Sequence, residues 1–187
     1  MIHSTLLARE EPEGFFFSQV SRNVYAHWQR LAQRRGGVPL RSDLDPAEIP
    51  RLLPYLFIVE RIRSTGRYFF RLSGTAIRDI MGSENTNHFL DELLHGDDLE
   101  TVSTMFAQVM DQGACIRSIE GLTYSDRSYL RVEILRLPLR AADGKSRLVL
   151  GCLSRVADAD GSGLVEGAVK NRQVIHIAND VEPRSLF

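Results

Sequence analysis

Residues 56–82, LFIVERIRSTGRYFFRLSGTAIRDIMG, carry the order of elements from which the architecture can be read. Leu56 to Ile62 is rich in β-branched and aromatic residues and reads as a strand. Ser64-Thr65-Gly66 is a turn, and Tyr68 to Ser73 is the second strand of an antiparallel hairpin. Gly74 breaks that strand, and Thr75 to Met81 reads as a short helix capped by Thr75 and closed by Gly82. Two strands followed directly by a helix, with no second hairpin, set the class as α+β.

A helix at 18–35 precedes the hairpin. Phe17, Val20, Val24, Trp28 and Leu31 form one stripe on it, Ser18 or Ser21 supplies the cap, and Gly36-Gly37 ends it. The stripe is narrow, close to a heptad seam, and must cover either the domain's own sheet or the same helix of a second chain. Asp45-Pro46 opens a short helical turn that runs to Leu53. After the hairpin come helices at 75–81 and 89–94, then a longer one from Asp97 to Gln112, for which Asp97 and Glu100 have capping-box spacing. Three strands close the order, at 114–124, 129–139 and 147–155, with turns at Ser125-Asp126-Arg127 and Asp143-Gly144. In the middle strand Leu130, Val132 and Ile134 share one phase and Leu135, Leu137 and Leu139 the other, which predicts a β-bulge near 134–135. The expected organisation is a leader at 1–16, an N-terminal helix at 17–37, a domain at 38–156 and a loosely attached polar tail at 157–187, with one short amphipathic piece near 169–177. That tail is too short and too polar to form an effector domain.

The composition excludes several function classes. Lys plus Arg is 23 against Asp plus Glu 24, a net charge of −1, without the positive excess of a dedicated nucleic-acid binder. No stretch approaches the roughly 20 apolar residues of a membrane span, and Met1 to Glu13, with Arg9, Glu10, Glu11 and Glu13, is no secretory signal. Cys115 and Cys152 stand in unrelated contexts, as free thiols of a reducing cytoplasm do. No His-x-x-x-His or Cys-x-x-Cys spacing supports a zinc site. No Gly-x-Ser-x-Gly elbow is present, and Gly144-Lys145-Ser146 lacks the upstream glycine of a phosphate loop. Asp97 and Asp98 read as helix-capping carboxylates rather than a catalytic pair.

At this point the residues resemble the PAS family of sensory domains, and within it a bacterial branch of mostly single-domain proteins. The carrying segments are Pro39-Leu-Arg41-Ser-Asp43-Leu-Asp45-Pro46, Leu52-Leu53-Pro54, Phe70-Arg71-Leu72-x-Gly74-Thr75, Gly82, and His95-Gly96-Asp97-Asp98, in this order over about residues 18–156. Gly96 stands where such domains often have proline, and Asn87 where this branch usually has glycine; Asn is the next residue best able to adopt a left-handed conformation. The resemblance implies a five-stranded antiparallel sheet with helices on one face, in the strand order second, first, fifth, fourth, third. Cys115 and Cys152 would then lie two strand spacings apart, roughly 9.5 Å, beyond disulfide reach.

The expected ligand pocket is apolar: Phe70 and Leu72 on the sheet, Ile77, Ile80, Met81, Phe89 and Leu93 above it, Met105 and Val109 from the long helix, and Ile134 and Leu150 on the floor. Arg71 points away from that face and is expected to pair with an acid of Asp43–Asp45; Arg41 and Arg71 are the candidate anion contacts. No cofactor is identified. A haem ligand would come from His88 or His95 in the helical cap, although His95 reads first as a corner residue, and the absence of cysteine from 75–95 argues against flavin–thiol photochemistry. The expected function is a non-enzymatic cytoplasmic sensor that binds a small apolar ligand or a partner protein. It would signal by homodimerisation through Val20, Val24, Trp28 and Leu31 or by docking. Two alternatives remain open: an isomerase or dehydratase with Glu120 or Glu133 as a buried base, and a cyclic-nucleotide binder using Arg41, Arg63 and Arg71.

Overall fold

The computed structural model describes residues 16–121, 131–156 and 171–175. The expected leader before residue 16, the turn at Ser125–Arg127 and the rest of the tail lie outside the described residues. One antiparallel sheet is built from β1 (Leu56–Arg61), β2 (Tyr68–Ser73), β3 (Cys115–Gly121), β4 (Arg131–Arg140), β5 (Arg147–Arg155) and β6 (Asn171–Ile175). Its order is β2-β1-β5-β4-β3-β6. The first five strands keep the order implied above. The sixth, from the segment assigned to the tail, pairs with the outer edge of β3, where a row of backbone N–H and C=O groups would otherwise face water.

Helices cover both faces. On one side lie α2 (Thr75–Met81), α3 (Leu90–Leu93) and α4 (Gly96–Gln112), and on the other α1 (Gln19–Arg35) with the 3₁₀ turns Arg41–Asp43 and Pro46–Glu48. Two cores result. Phe57, Val59, Phe70, Ile77, Leu90, Phe106 and Ile134 belong to the first; Val24, Trp28, Leu31, Ile58, Leu135, Leu137, Leu150 and Cys152 belong to the second. The apolar stripe of α1 is therefore occupied by the chain's own sheet. Val24, Trp28 and Leu31 are buried, Val20 is half-buried, and the Trp28 indole N–H donates to the Pro138 carbonyl at 2.8 Å. Phe16, placed above in the leader, is buried with its ring 5.5 Å from that of Tyr25.

The expected bulge in β4 is absent. β4 pairs with β5 in unbroken register from Val132–Arg155 to Arg140–Arg147. Its two apolar phases reflect burial on both faces: Val132 and Ile134 face one core, and Leu135, Leu137 and Leu139 the other. The irregularity lies instead between β1 and β2, where Ile58 pairs with Leu72 but Val59 with Phe70, leaving Arg71 as the extra residue. That slip turns Leu72 onto the α1 side, where it is 40% exposed.

Local signals fix the helix ends. Ser18 Oγ accepts from Val20 N–H and Gly36 takes the left-handed C-terminal position of α1. Asp45 caps its proline turn through Ala47 N–H. Two starts sit one or two residues earlier than expected, with Gly74 before α2 and His95 before α4, so Asp97 and Asp98 lie in the first turn of α4 beside its positive dipole end. Asn87 adopts the left-handed conformation, with φ 65°.

Two predictions follow from this core. Gly151 faces the Phe57 ring so closely that an added Cβ would overlap it; Gly151→Ala should lower the unfolding free energy by about 1–3 kcal/mol, read as a lower urea midpoint. His27 is buried in α1, and burial, reinforced by Arg30, holds its pKa below 6.5. The unfolded chain therefore binds the proton more readily, so stability is full above the unfolded value of about 6.5 and falls as pH drops below it, down to the folded value. His27→Gln should flatten the urea midpoint between about pH 7 and pH 5.

Candidate functional site

A cavity of about 640 Å³ lies between the α2–α4 side and the sheet, within the size range of small-molecule pockets. Its apolar walls are Phe57, Phe70, Ile77, Met81, Leu90, Leu93, Leu94, Val102, Phe106, Ile134 and Leu153. Of the residues expected to line it, Phe70, Ile77, Met81, Leu93 and Ile134 do so. Ile80, Met105 and Val109 are buried in the same core without reaching the wall. Three are placed elsewhere. Leu72 is turned to the opposite face by the bulge. Leu150 points to the α1 core, because β5 alternates and Val149 and Leu153 take the cavity side. Phe89 packs at the rim, edge-on to Phe69 at 5.0 Å and beneath the Arg67 guanidinium at 3.7 Å, while its neighbour Leu90 enters the cavity.

The walls are not wholly apolar. Ser73, Ser83, Asn85, Glu92, Glu120 and Arg136 also line the cavity. Arg136 is 2% exposed; its Nη1 donates to Ser118 Oγ at 2.8 Å and its Nη2 to Glu120 Oε1 at 3.1 Å. Ser118 Oγ–H donates in turn to Glu120 at 2.5 Å. The guanidinium also lies 6.0 Å from the centre of the Phe106 ring. A signal for this group existed in the sequence. Arg117, Glu120, Glu133 and Arg136 interrupt two strands of otherwise apolar character, and an antiparallel register matches them by sign. Their partners depend on strand pairing and not on spacing along the chain.

Directly behind this floor, on the α1 side, lies the second buried pair. Glu133 is fully buried and accepts from Arg117 Nε at 2.5 Å, from Ser18 N–H at 2.9 Å and from Phe17 N–H at 3.2 Å. Ser154 Oγ–H donates to Ser18 Oγ at 2.7 Å beside it. Neither carboxylate stands alone in an apolar pocket as a buried base would. Glu133 faces α1, and Glu120 is held by a guanidinium and a hydroxyl.

The arginines singled out above lie outside the cavity. Arg71 pairs with Glu60 across the hairpin at 2.5 Å rather than with Asp43, which is held by Arg35. Arg41 and Arg71 share a shallow groove on the outer face with Ile58, Glu60 and Leu72, whereas Arg63 reaches Ser146. His88 and His95 are exposed and do not line the cavity. Cys115 and Cys152 are free, and burial raises both thiols to about 12. Among the described residues no group of His, Cys, Asp or Glu could hold a metal, and no helix is long and apolar enough to cross a membrane.

A family model described as a PAS domain matches the chain over residues 16–154. No curated protein and no solved structure matches the chain.

The geometry predicts the cost of loosening the α1 anchor. Glu133→Gln preserves shape but removes the charge that Arg117 and two backbone N–H groups share. It should destabilise the fold by about 3 kcal/mol, with hydrogen exchange rising first at residues 17–24. Uniform acceleration over all strands instead would show that Glu133 is a general core element and no anchor.

Proposed function

The chain belongs to the PAS domain family, and on that premise we propose that it is a sensory, non-enzymatic regulatory domain. It takes up a small molecule between α2–α4 and the sheet and reports occupancy through α1. The observation that carries this reading is the two-sided β3–β4 pair. Glu120 and Arg136 line the cavity while Arg117 and Glu133, on the same strands, hold the start of α1. A ligand that shifts Arg136 therefore acts on a strand pair whose opposite face carries the α1 anchor. A two-state element biased from both sides is the physical requirement for such coupling.

Energetics limit what α1 can do. Freeing Val24, Tyr25, Trp28 and Leu31 from the sheet would expose four buried side chains at roughly 2 kcal/mol each. A bare, detached α1 is therefore sparsely populated. It leaves the sheet only for another apolar surface, and the same helix of a second copy offers an identical stripe. Homodimerisation through Val20, Val24, Trp28 and Leu31 is accordingly a state exchanged with the intramolecular one. A docked signalling protein is the other route of output. The free thiols suit a reducing cytoplasm as the place of action.

Mass spectrometry of the purified chain, native against denatured and with an absorbance spectrum, tests this reading. A native mass a few hundred daltons per subunit above the bare chain is expected, with exchange at residues 19–35 changing when the ligand is stripped. A native mass equal to bare chains, together with α1 exchange unaltered by any small molecule, would remove the sensor reading. Replacing Val24 and Trp28 by Asp should abolish the dimer, and an unchanged oligomer mass would exclude α1 as its contact.

A further inference from the structure

We propose that the groove on the outer face of the β1–β2 hairpin docks a short acidic segment of a partner protein, in which a carboxylate side chain stands beside a large apolar one. This rests on the reading of the chain as a regulator that docks a signalling protein, and deepens it to a surface and a chemistry. α1 rests chiefly on β4 and β5. The groove lies on the same face, over β1, β2 and the end of β5, with Ile58, Leu72 and Leu148 as its apolar part. The bulge that leaves Arg71 as an extra residue sets Arg71 and Leu72 together here, and Leu72 is one of three large apolar side chains exposed among the described residues. The two arginines of the groove have donors to spare. The half-buried Arg41 side chain makes no hydrogen bond or ion pair with any described residue. Arg71 gives only its Nε–H to Glu60, at 2.5 Å, which leaves both Nη groups without a hydrogen-bond partner among the described residues.

Charge and size choose the occupant. Arg41 and Arg71 face one carboxylate, Glu60, so the groove is locally positive on a chain whose net charge is −1. An acidic side chain balances that excess, and a basic one adds to it. The volume of about 250 Å³ falls below the roughly 300–1,000 Å³ of small-molecule pockets, which suits one or two side chains of a segment passing over the groove better than an enclosed molecule. A second copy is a poor occupant, since groove against groove about a two-fold axis brings like charges together. Phe57 and Phe70 line the ligand cavity from the other face of the same two strands, so docking and ligand occupancy meet on one hairpin.

Selection of a library of random short peptides on the full chain tests this, with the recovered peptides synthesised and their affinities measured by fluorescence anisotropy. They should carry Asp or Glu next to Leu, Ile, Met or Phe, and move the backbone amide resonances of Ile58, Leu72 and Leu148 in the wild-type chain. Arg41→Gln with Arg71→Gln should weaken them about tenfold, the size of two exposed ion pairs at their upper end. Glu60→Gln, which removes the competing carboxylate, should tighten them, and raising the salt from about 0.05 M to about 0.3 M should weaken them. All the replaced side chains lie on the surface, so each variant is expected to fold. Recovery of no peptide, of peptides without acidic residues, or of peptides indifferent to the arginine variants would overturn the proposal, as would a dimer of the wild-type chain that the arginine variants dissolve, which would make a second copy the occupant. None of these outcomes touches the ligand cavity, whose own test is the native mass, so the sensor reading stands or falls separately.

Discussion

The Glu133 carboxylate is the interaction on which the arrangement depends. It is an anion with no exposure, placed in the middle of a sheet and retained there by Arg117 and by two backbone N–H groups at the start of α1. A buried charge of this kind is costly without complete hydrogen bonding. From β4 it draws partners from two other elements, β3 and the segment leading into α1, so it is satisfied only when all three are in place. The pair thus specifies where α1 begins on the sheet, and the apolar stripe supplies the area that keeps it there.

The sheet is unusual in one respect for an antiparallel one: its central strands are buried on both faces. β4 shows the result most clearly, with Val132, Ile134 and Arg136 directed at the α2–α4 side and Glu133, Leu135, Leu137 and Leu139 at α1. Charged residues appear on both faces, each with a partner of opposite sign on β3. The cavity and the N-terminal helix consequently share a wall one peptide layer thick. A shift at one face has little room to dissipate before it meets the other, since close-packed interiors are stiff.

Much of this was legible from residue order. The hairpin at 56–73, the glycine-ended helices and the three closing strands carry local signals that short-range chemistry decides. What escaped was whatever depended on pairing. The two phases of β4 look like a bulge when read alone, and become regular once a helix is known to cover each face. The true bulge at Arg71 gives no signal, because Phe70, Arg71 and Leu72 alternate normally and the slip exists only relative to Ile58 and Val59. It moved Leu72 out of the cavity and gave Arg71 to Glu60. The polar floor was missed for the same reason. Arg136 and Glu120 are sixteen positions apart, and only strand register brings them together with Ser118.

The treatment of the two outer strands has a consequence for solubility. β6 lies along β3, and the segment 86–89 lies along β2. There Asn87 N–H donates to Phe70 O, Phe70 N–H to His88 O, and Ser73 N–H to the Thr86 hydroxyl. Along β2 the outer backbone groups of Phe70 and Ser73 are thus engaged by the chain itself, and this margin is further kinked by its extra residue. A margin finished in this way is a poor template on which another extended chain could add, whereas on the opposite side β6 is the outer strand.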